Sequence, residues 1–173
     1  MKNLSPLHAE SRVSWLAHTA SACLIDEARL SPKPGLVDSR GSGAHQDLTL
    51  ALMERSARSL QPTFHALAQQ SWRRPADIAL RETVGRLGRE GEAQMMQATG
   101  GVNTHRGAIW ALGLLVSAVA MLGGEGQSQT IADTAAALAR LPDSLAPKSF
   151  SKGLRASRRW QDRKSTRLNS SHT

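Results

Sequence analysis

Cysteine is nearly absent: Cys23 stands alone in 173 residues, so no intramolecular disulfide can form and a disulfide-stapled secreted module is excluded. Its place in a helical apolar pattern reads as core packing rather than as a nucleophile. There is no collagen period and no coiled-coil pattern. An uninterrupted apolar stretch is also missing from Met1 to Glu10, where polar residues and Pro6 intervene, so a signal peptide is not expected and the cytoplasm is the default location. No Gly-x-x-x-x-Gly-Lys-Ser/Thr loop, dinucleotide fingerprint or Cys/His zinc spacing occurs. Charge is absent between Arg106 and Glu125. The stretch Ala108 to Leu122 would nevertheless be about 22 Å long at ~1.5 Å per residue, against ~30 Å of bilayer hydrocarbon. A central helix buried on all sides is therefore expected, with no membrane partner.

What is present begins with an uneven charge. The formal net charge is +8, from 22 basic and 14 acidic residues. Met1 to Pro147 holds 14 basic and 13 acidic residues, and the other eight basic residues lie with the single Asp162 in residues 148–173. The body is thus nearly neutral and not a nucleic-acid surface. Residues 1–147 read as one helical domain. Residues 148–173 read as a basic, disordered tail that from Arg155 lacks apolar periodicity.

The chain is read as all-α: period-3.6 segments follow one another, separated by Gly, Pro and Asn clusters, with no sustained period-2 alternation. Helices are expected from about Ala9 to Leu30, Gln46 to Leu60, Pro62 to Trp72, Pro75 to Ala98, Asn103 or Thr104 to Leu122, and Gln127 to Leu141. The first carries Val13, Leu16, Ala17, Ala20 and Leu24 as its apolar stripe.

Three places break local rules, and such places are where function concentrates. Glu27 falls within about 40° of Val13 on a helical wheel at ~100° per residue, inside the apolar stripe. A carboxylate there needs a cation, a cavity or a structural ion pair, because burial alone is costly. The loop from Pro32 to Asp47 is stiffened by two prolines and opened by Gly35, Gly41 and Gly43. Its Lys33, Asp38, Arg40, His45 and Asp47 suit a phosphate ester bound with a metal, with Asp38 and Asp47 as oxygen ligands for Mg²⁺. A polar surface connection is the other reading. Glu54, two turns beyond Asp47, either extends this acidic cluster or pairs with Arg58. The third place is Thr99 to Gly107, where Gly100 and Gly101 lead into a helix opening with Asn103, Thr104, His105 and Arg106. It forms either an anion site with free amides or an ordinary capped turn. Just before it, Gly85, Gly88 and Gly91 recur every third residue, each costing ~1 kcal/mol relative to Ala in a helix interior. Something must approach that helix closely. Glu92, one turn after Gly88, is a further acid.

Pro32-Lys33-Pro34-Gly35-Leu36-Val37-Asp38, then Gly43-Ala44-His45-x-Asp47, and later Ala98-Thr99-x-Gly101-Val102-Asn103-Thr104-His105-x-Gly107-Ala108-Ile109 resemble the signature segments of the triphosphoribosyl-dephospho-CoA synthases. The resemblance runs from about Trp15 to Trp160, and Glu27 and Glu92 also match acidic positions of that family. It implies an all-helical, nucleotide-binding transferase that joins ATP to 3'-dephospho-CoA with release of adenine, making a prosthetic-group precursor for an acyl carrier protein. Leu30-Ser31 and Leu48-Thr49-Leu50 look closer to the malonate decarboxylase branch than to the citrate lyase branch. The 2'-hydroxyl of dephospho-CoA would attack C1' of the ATP ribose. On this resemblance Glu27, Asp38, His45, Asp47, Glu92 and His105 are the catalytic candidates. Lys33, Gly35, Arg40, Gly100, Gly101, Asn103, Thr104 and Arg106 would hold the nucleotide, with Mg²⁺ on Asp38 and Asp47.

The family continues well past this length, so the chain is expected to lack a C-terminal part, and Asp162 to Thr173 read as foreign sequence. Two other functions fit the residues less closely: a helical Mg²⁺-dependent nucleotide or ADP-ribosyl hydrolase, and a non-enzymatic helical module binding through its basic tail.

Overall fold

The computed structural model describes residues 6–146, with side chains from residue 8. The basic tail lies outside the described residues. Six helices follow in order: α1 Pro6–Arg29, α2 Leu50–Ser59, α3 Gln61–Ser71, α4 Ile78–Ala98, α5 Arg106–Met121 and α6 Ser128–Arg140. The all-α expectation holds, and no strand occurs among the described residues.

Helix limits follow local chemistry. α1 stops short of Ser31-Pro32, because a residue before proline avoids the α region; the Ser31–Pro32 bond itself is cis. α2 starts later than the apolar spacing suggests. Thr49 is its N-cap, its hydroxyl accepting the Leu52 N–H at 3.2 Å, so Gln46 to Leu48 stay in the loop. Asp77 caps α4 in the same way, accepting from the Leu80 N–H at 2.7 Å. α4 ends on Gly100 (φ 66°) and Gly101 (φ 91°), left-handed positions that glycine adopts without strain.

The core lies around α3, which packs against α1, α2, α4 and α5. Its Phe64, Leu67 and Ala68 meet Val13, Ala17 and Ala20 of α1, Leu80, Val84 and Met95 of α4 and Leu114 and Val116 of α5 in one apolar cluster. The α1 stripe is buried as expected. α5 is less enclosed than its composition suggests: Trp110 is 46% and Leu115 41% exposed. The two lie on different sides of the helix, Trp110 toward α4 and Leu115 toward α1, where its neighbours leave open grooves. Cys23 is likewise exposed rather than packed in the core, lining an open groove between α1 and α5.

Two of the α4 glycines are explained by close packing. A Cβ at Gly85 would collide with the Asp143 carboxylate, and one at Gly91 would come within 2.6 Å of the Thr63 side chain.

Candidate functional site at the junction of the two polar loops

The loop after α1 is organised from inside by one carboxylate. Asp38 is 4% exposed. Its Oδ2 accepts the Lys33 N–H at 3.0 Å and two Arg40 guanidinium donors at 3.2 and 3.1 Å, while Oδ1 accepts the Arg40 N–H at 2.8 Å. Four donors use the acceptor capacity of a carboxylate. The Asp38 and Gly41 backbones also bond to each other. Gly43, at φ 57°, lets the chain turn back so closely that a Cβ would meet the Leu36 carbonyl at 2.5 Å. These contacts make the Gly35 to His45 segment a built loop rather than an open connection.

This geometry corrects two sequence expectations. Asp38 faces inward, with its oxygens engaged by the loop's own donors. Among the described residues, no group of three or more His, Cys, Asp or Glu side chains is arranged to hold a metal ion. Asp47 remains exposed, His45 is half-buried and Arg40 projects outward. Lys33 does not point to solvent for a phosphate. Its Nζ donates to the Glu27 carbonyl at 2.6 Å and to Glu27 Oε1 at 3.0 Å, closing the C-terminal turn of α1. Glu27 is itself 57% exposed rather than buried in the stripe, which continues past it through Leu24 and Ala28.

The backbone amide donors of Asp38 hold its pKa well below the usual carboxylate range, aided by Arg40. The unfolded chain therefore takes up this proton first, and the stabilising contribution is present above about pH 4 and lost as the pH falls below it. Asp38→Asn should lower the unfolding midpoint at pH 7 and flatten its decline below pH 4. Identical pH profiles for the two proteins would show that the carboxylate does not organise the loop.

The second loop meets the first through α2. His105 sits at the N-cap position of α5 and is 4% exposed. Its Nδ1 is 2.7 Å from the hydroxyl of Ser56, which is 2.5 Å from the Thr104 hydroxyl, which in turn donates to Met95 Sδ at 2.9 Å. Only one proton arrangement satisfies all three contacts. Thr104 donates to sulfur, Ser56 donates to Thr104, and His105 Nδ1–H donates to Ser56. That tautomer leaves Nε2 with its lone pair, and Nε2 has no partner among the described residues. Burial holds the His105 pKa below its ordinary value, with the negative charge of nearby Glu27 acting in the opposite sense. The result is a neutral imidazole with a basic nitrogen near physiological pH.

Ser56 was not legible as a site residue. Its only sequence signal is a small hydroxyl beside Ala57 in the buried register of α2. Glu54, on the adjacent turn, joins Arg29 at 2.7 Å and Arg58 at 3.0 Å. It pairs with cations and does not extend an acidic cluster with Asp47, which lies outside the helix. Glu92 pairs with Arg106 at 2.5 Å. Asn103 accepts from the Arg106 N–H at 3.3 Å. The Gly100 and Gly101 amides donate to the Gln97 and Met96 carbonyls, so they cap α4 rather than wait for an anion. Thr99 ties the turn together, its hydroxyl lying 2.6 Å from the Val102 carbonyl.

The structure thus brings Glu27, Lys33, Thr104 and His105 to one junction and leaves Arg40 and Asp47 on the outer side of the first loop. Residues 13–170 match the family model described as ATP:dephospho-CoA triphosphoribosyl transferase. The chain belongs to this triphosphoribosyl transferase family. It is 95% identical over 161 residues to the 2-(5''-triphosphoribosyl)-3'-dephosphocoenzyme-A synthase of Klebsiella pneumoniae, an alignment covering 93% of this chain and 58% of the relative. Proteins named as probable synthases of the same kind are 56% identical in Stutzerimonas stutzeri and 59% identical in Azotobacter vinelandii. They are covered over 56% and 45% of their lengths, with 92% and 76% of this chain aligned. The chain therefore spans about half the length of the transferase-family relatives it matches. The family match reaches into the last residues that the sequence pattern alone suggested were foreign. No solved structure matches the chain significantly.

Proposed function

We propose that this chain carries a catalytic part of a triphosphoribosyl transferase acting on ATP and 3'-dephospho-CoA. The observation carrying this reading is the junction at His105, where the second signature segment is tied to Ser56 of α2 and a buried imidazole presents an unpartnered basic nitrogen. In the transfer, the 2'-hydroxyl oxygen of dephospho-CoA bonds to C1' of the ATP ribose. The C1'–N9 bond breaks and adenine departs with the bonding electron pair. The hydroxyl proton needs an acceptor, and departing adenine needs a proton. His105 Nε2 suits the first task. Half-buried His45 is the candidate for the second, and Glu27 and Glu92 supply negative charge that favours an oxocarbenium-like centre.

For the phosphates the reading uses Arg40 and Arg106, with Asn103 holding the turn that aims Arg106. Gly35, Gly100 and Gly101 contribute by shaping the loops, and Lys33 by locking the first loop to α1. Mg²⁺ would arrive with the ATP phosphates and meet Asp47, since magnesium commonly keeps most of its coordination on substrate and water. The product would go to an acyl carrier protein system, the malonate decarboxylase branch being favoured by Leu30-Ser31 and Leu48-Thr49-Leu50. Among the described residues no helix is long and apolar enough to cross a membrane.

The test is adenine release followed by chromatography. Adenine should appear only when ATP, Mg²⁺ and 3'-dephospho-CoA are all present, with one adenine for each triphosphoribosyl group transferred. Release without dephospho-CoA would point instead to a hydrolase, in which water takes the place of the 2'-hydroxyl.

A further inference from the structure

Of the three evenly spaced α4 glycines, the chain accounts for Gly85 and Gly91 only. At Gly88 no atom lies within 4 Å of where a Cβ would stand, although alanine there would favour the helix. Gly88 instead lines a cavity of about 230 Å³ between α4 and α5. Arg81, Arg89 and Arg106 line the same cavity against two acids, Asp143 and Glu92, leaving one positive charge in excess. Asp143 joins Arg89 at 2.7 Å and Arg81 at 3.4 Å. The Arg81 guanidinium also lies over the Trp110 ring, 4.7 Å from its centroid.

Arg81 is the informative residue. It is 8% exposed, yet its Nε has no hydrogen-bond partner among the described residues. A buried charged donor left without an acceptor is costly and rare. Arg81 Nε is itself closed off from the cavity; the open space over Gly88 and the excess positive charge of the lining are what suit a bound oxyanion.

We propose that the α4–α5 cavity binds a phosphate ester, with Arg81 and Arg89 donating to its oxygens and Gly88 leaving room for it. Planar guanidinium groups match phosphate oxygens in geometry as well as charge. The cavity's size suits the phosphate-bearing part of a ligand rather than a whole dinucleotide. Only the source of the phosphate rests on the proposed function, because ATP and 3'-dephospho-CoA both carry it.

The experiment is calorimetric titration of the protein with inorganic tripolyphosphate, ATP and 3'-dephospho-CoA, repeated on Gly88→Leu and Arg81→Met. Gly88→Leu fills the open space and should keep or raise the unfolding midpoint while weakening tripolyphosphate binding at least tenfold. Arg81→Met should weaken it comparably. Parallel loss for ATP but not dephospho-CoA assigns the cavity to the triphosphate; the opposite pattern assigns it to the coenzyme's phosphates. Failure of the unaltered protein to bind tripolyphosphate, or equal binding by folded Gly88→Leu, overturns the site. Adenine release measured alongside separates the two inferences. Release that continues normally in Gly88→Leu leaves the transferase reading standing and removes this site, whereas phosphate binding without any adenine release does the reverse.

Discussion

His105→Asn should lower adenine release by about a hundredfold to ten-thousandfold, the range associated with losing a general base, while leaving helix content unchanged. Asparagine can keep a polar atom near the Ser56 hydroxyl, so the substitution removes Nε2 without emptying the junction. Ser56→Ala provides a second readout. Ser56 acts as a positioning residue, and its loss should lower the rate less and shift the pH profile, because Nδ1 no longer has a fixed partner. The pH dependence has a definite sign. A His105 pKa held down by burial means that the imidazole stays neutral as the pH falls below the ordinary histidine value of about 6.5. Activity should therefore persist into mildly acidic solution and fall only below that value. Undiminished adenine release by folded His105→Asn would remove the imidazole from the reaction.

Phe64→Ala should destabilise the fold by about 3–5 kcal/mol, the usual cost of a large aromatic deletion in a closed core. Phe64 is fully buried in α3, the helix on which α1, α4 and α5 converge. A domain is stable by only about 5–15 kcal/mol, so the variant should be marginal and its unfolding midpoint should drop by roughly 6–20 °C. Denaturant unfolding with an unchanged slope checks this. A loss under about 1 kcal/mol would mean that the core does not depend on α3 as its geometry indicates.

The helices could be read from sequence because each has its own periodicity and punctuation. The α1 stripe, the stop at Ser31-Pro32 and the glycine end of α4 depend on residues close in the chain, and all appear where the pattern put them. The start of α2 was misplaced by four residues because the Thr49 side chain, rather than apolar spacing, supplies its cap. The exposed sides of α5 were hidden for another reason. Its composition is apolar all round, and only its neighbours determine which face they cover.

The candidate site shows the same division more sharply. The two polar segments themselves were visible, since His105, Asp38 and Lys33 stand among prolines and glycines that have no reason to be there in a plain connection. What those residues do depends on distant partners. Glu27 looked buried on a wheel, yet the last turn of α1 leaves it exposed beside Lys33. The four donors gathered on the Asp38 carboxylate come into view only in the folded loop. Ser56 and His105 are separated by 49 positions, and no local pattern relates them.

The all-helical class, the order of the helices, the neutral body and the two polar segments follow from the chain's order of residues, because periodicity, capping and charge are local properties. It took the packed fold to show that Asp38 and Lys33 build a loop, that Ser56 orients His105, and that Gly88 faces open space beside Arg81 and Arg89. Burial and hydrogen-bond satisfaction depend on which segments pack together, and that is a property of the whole fold.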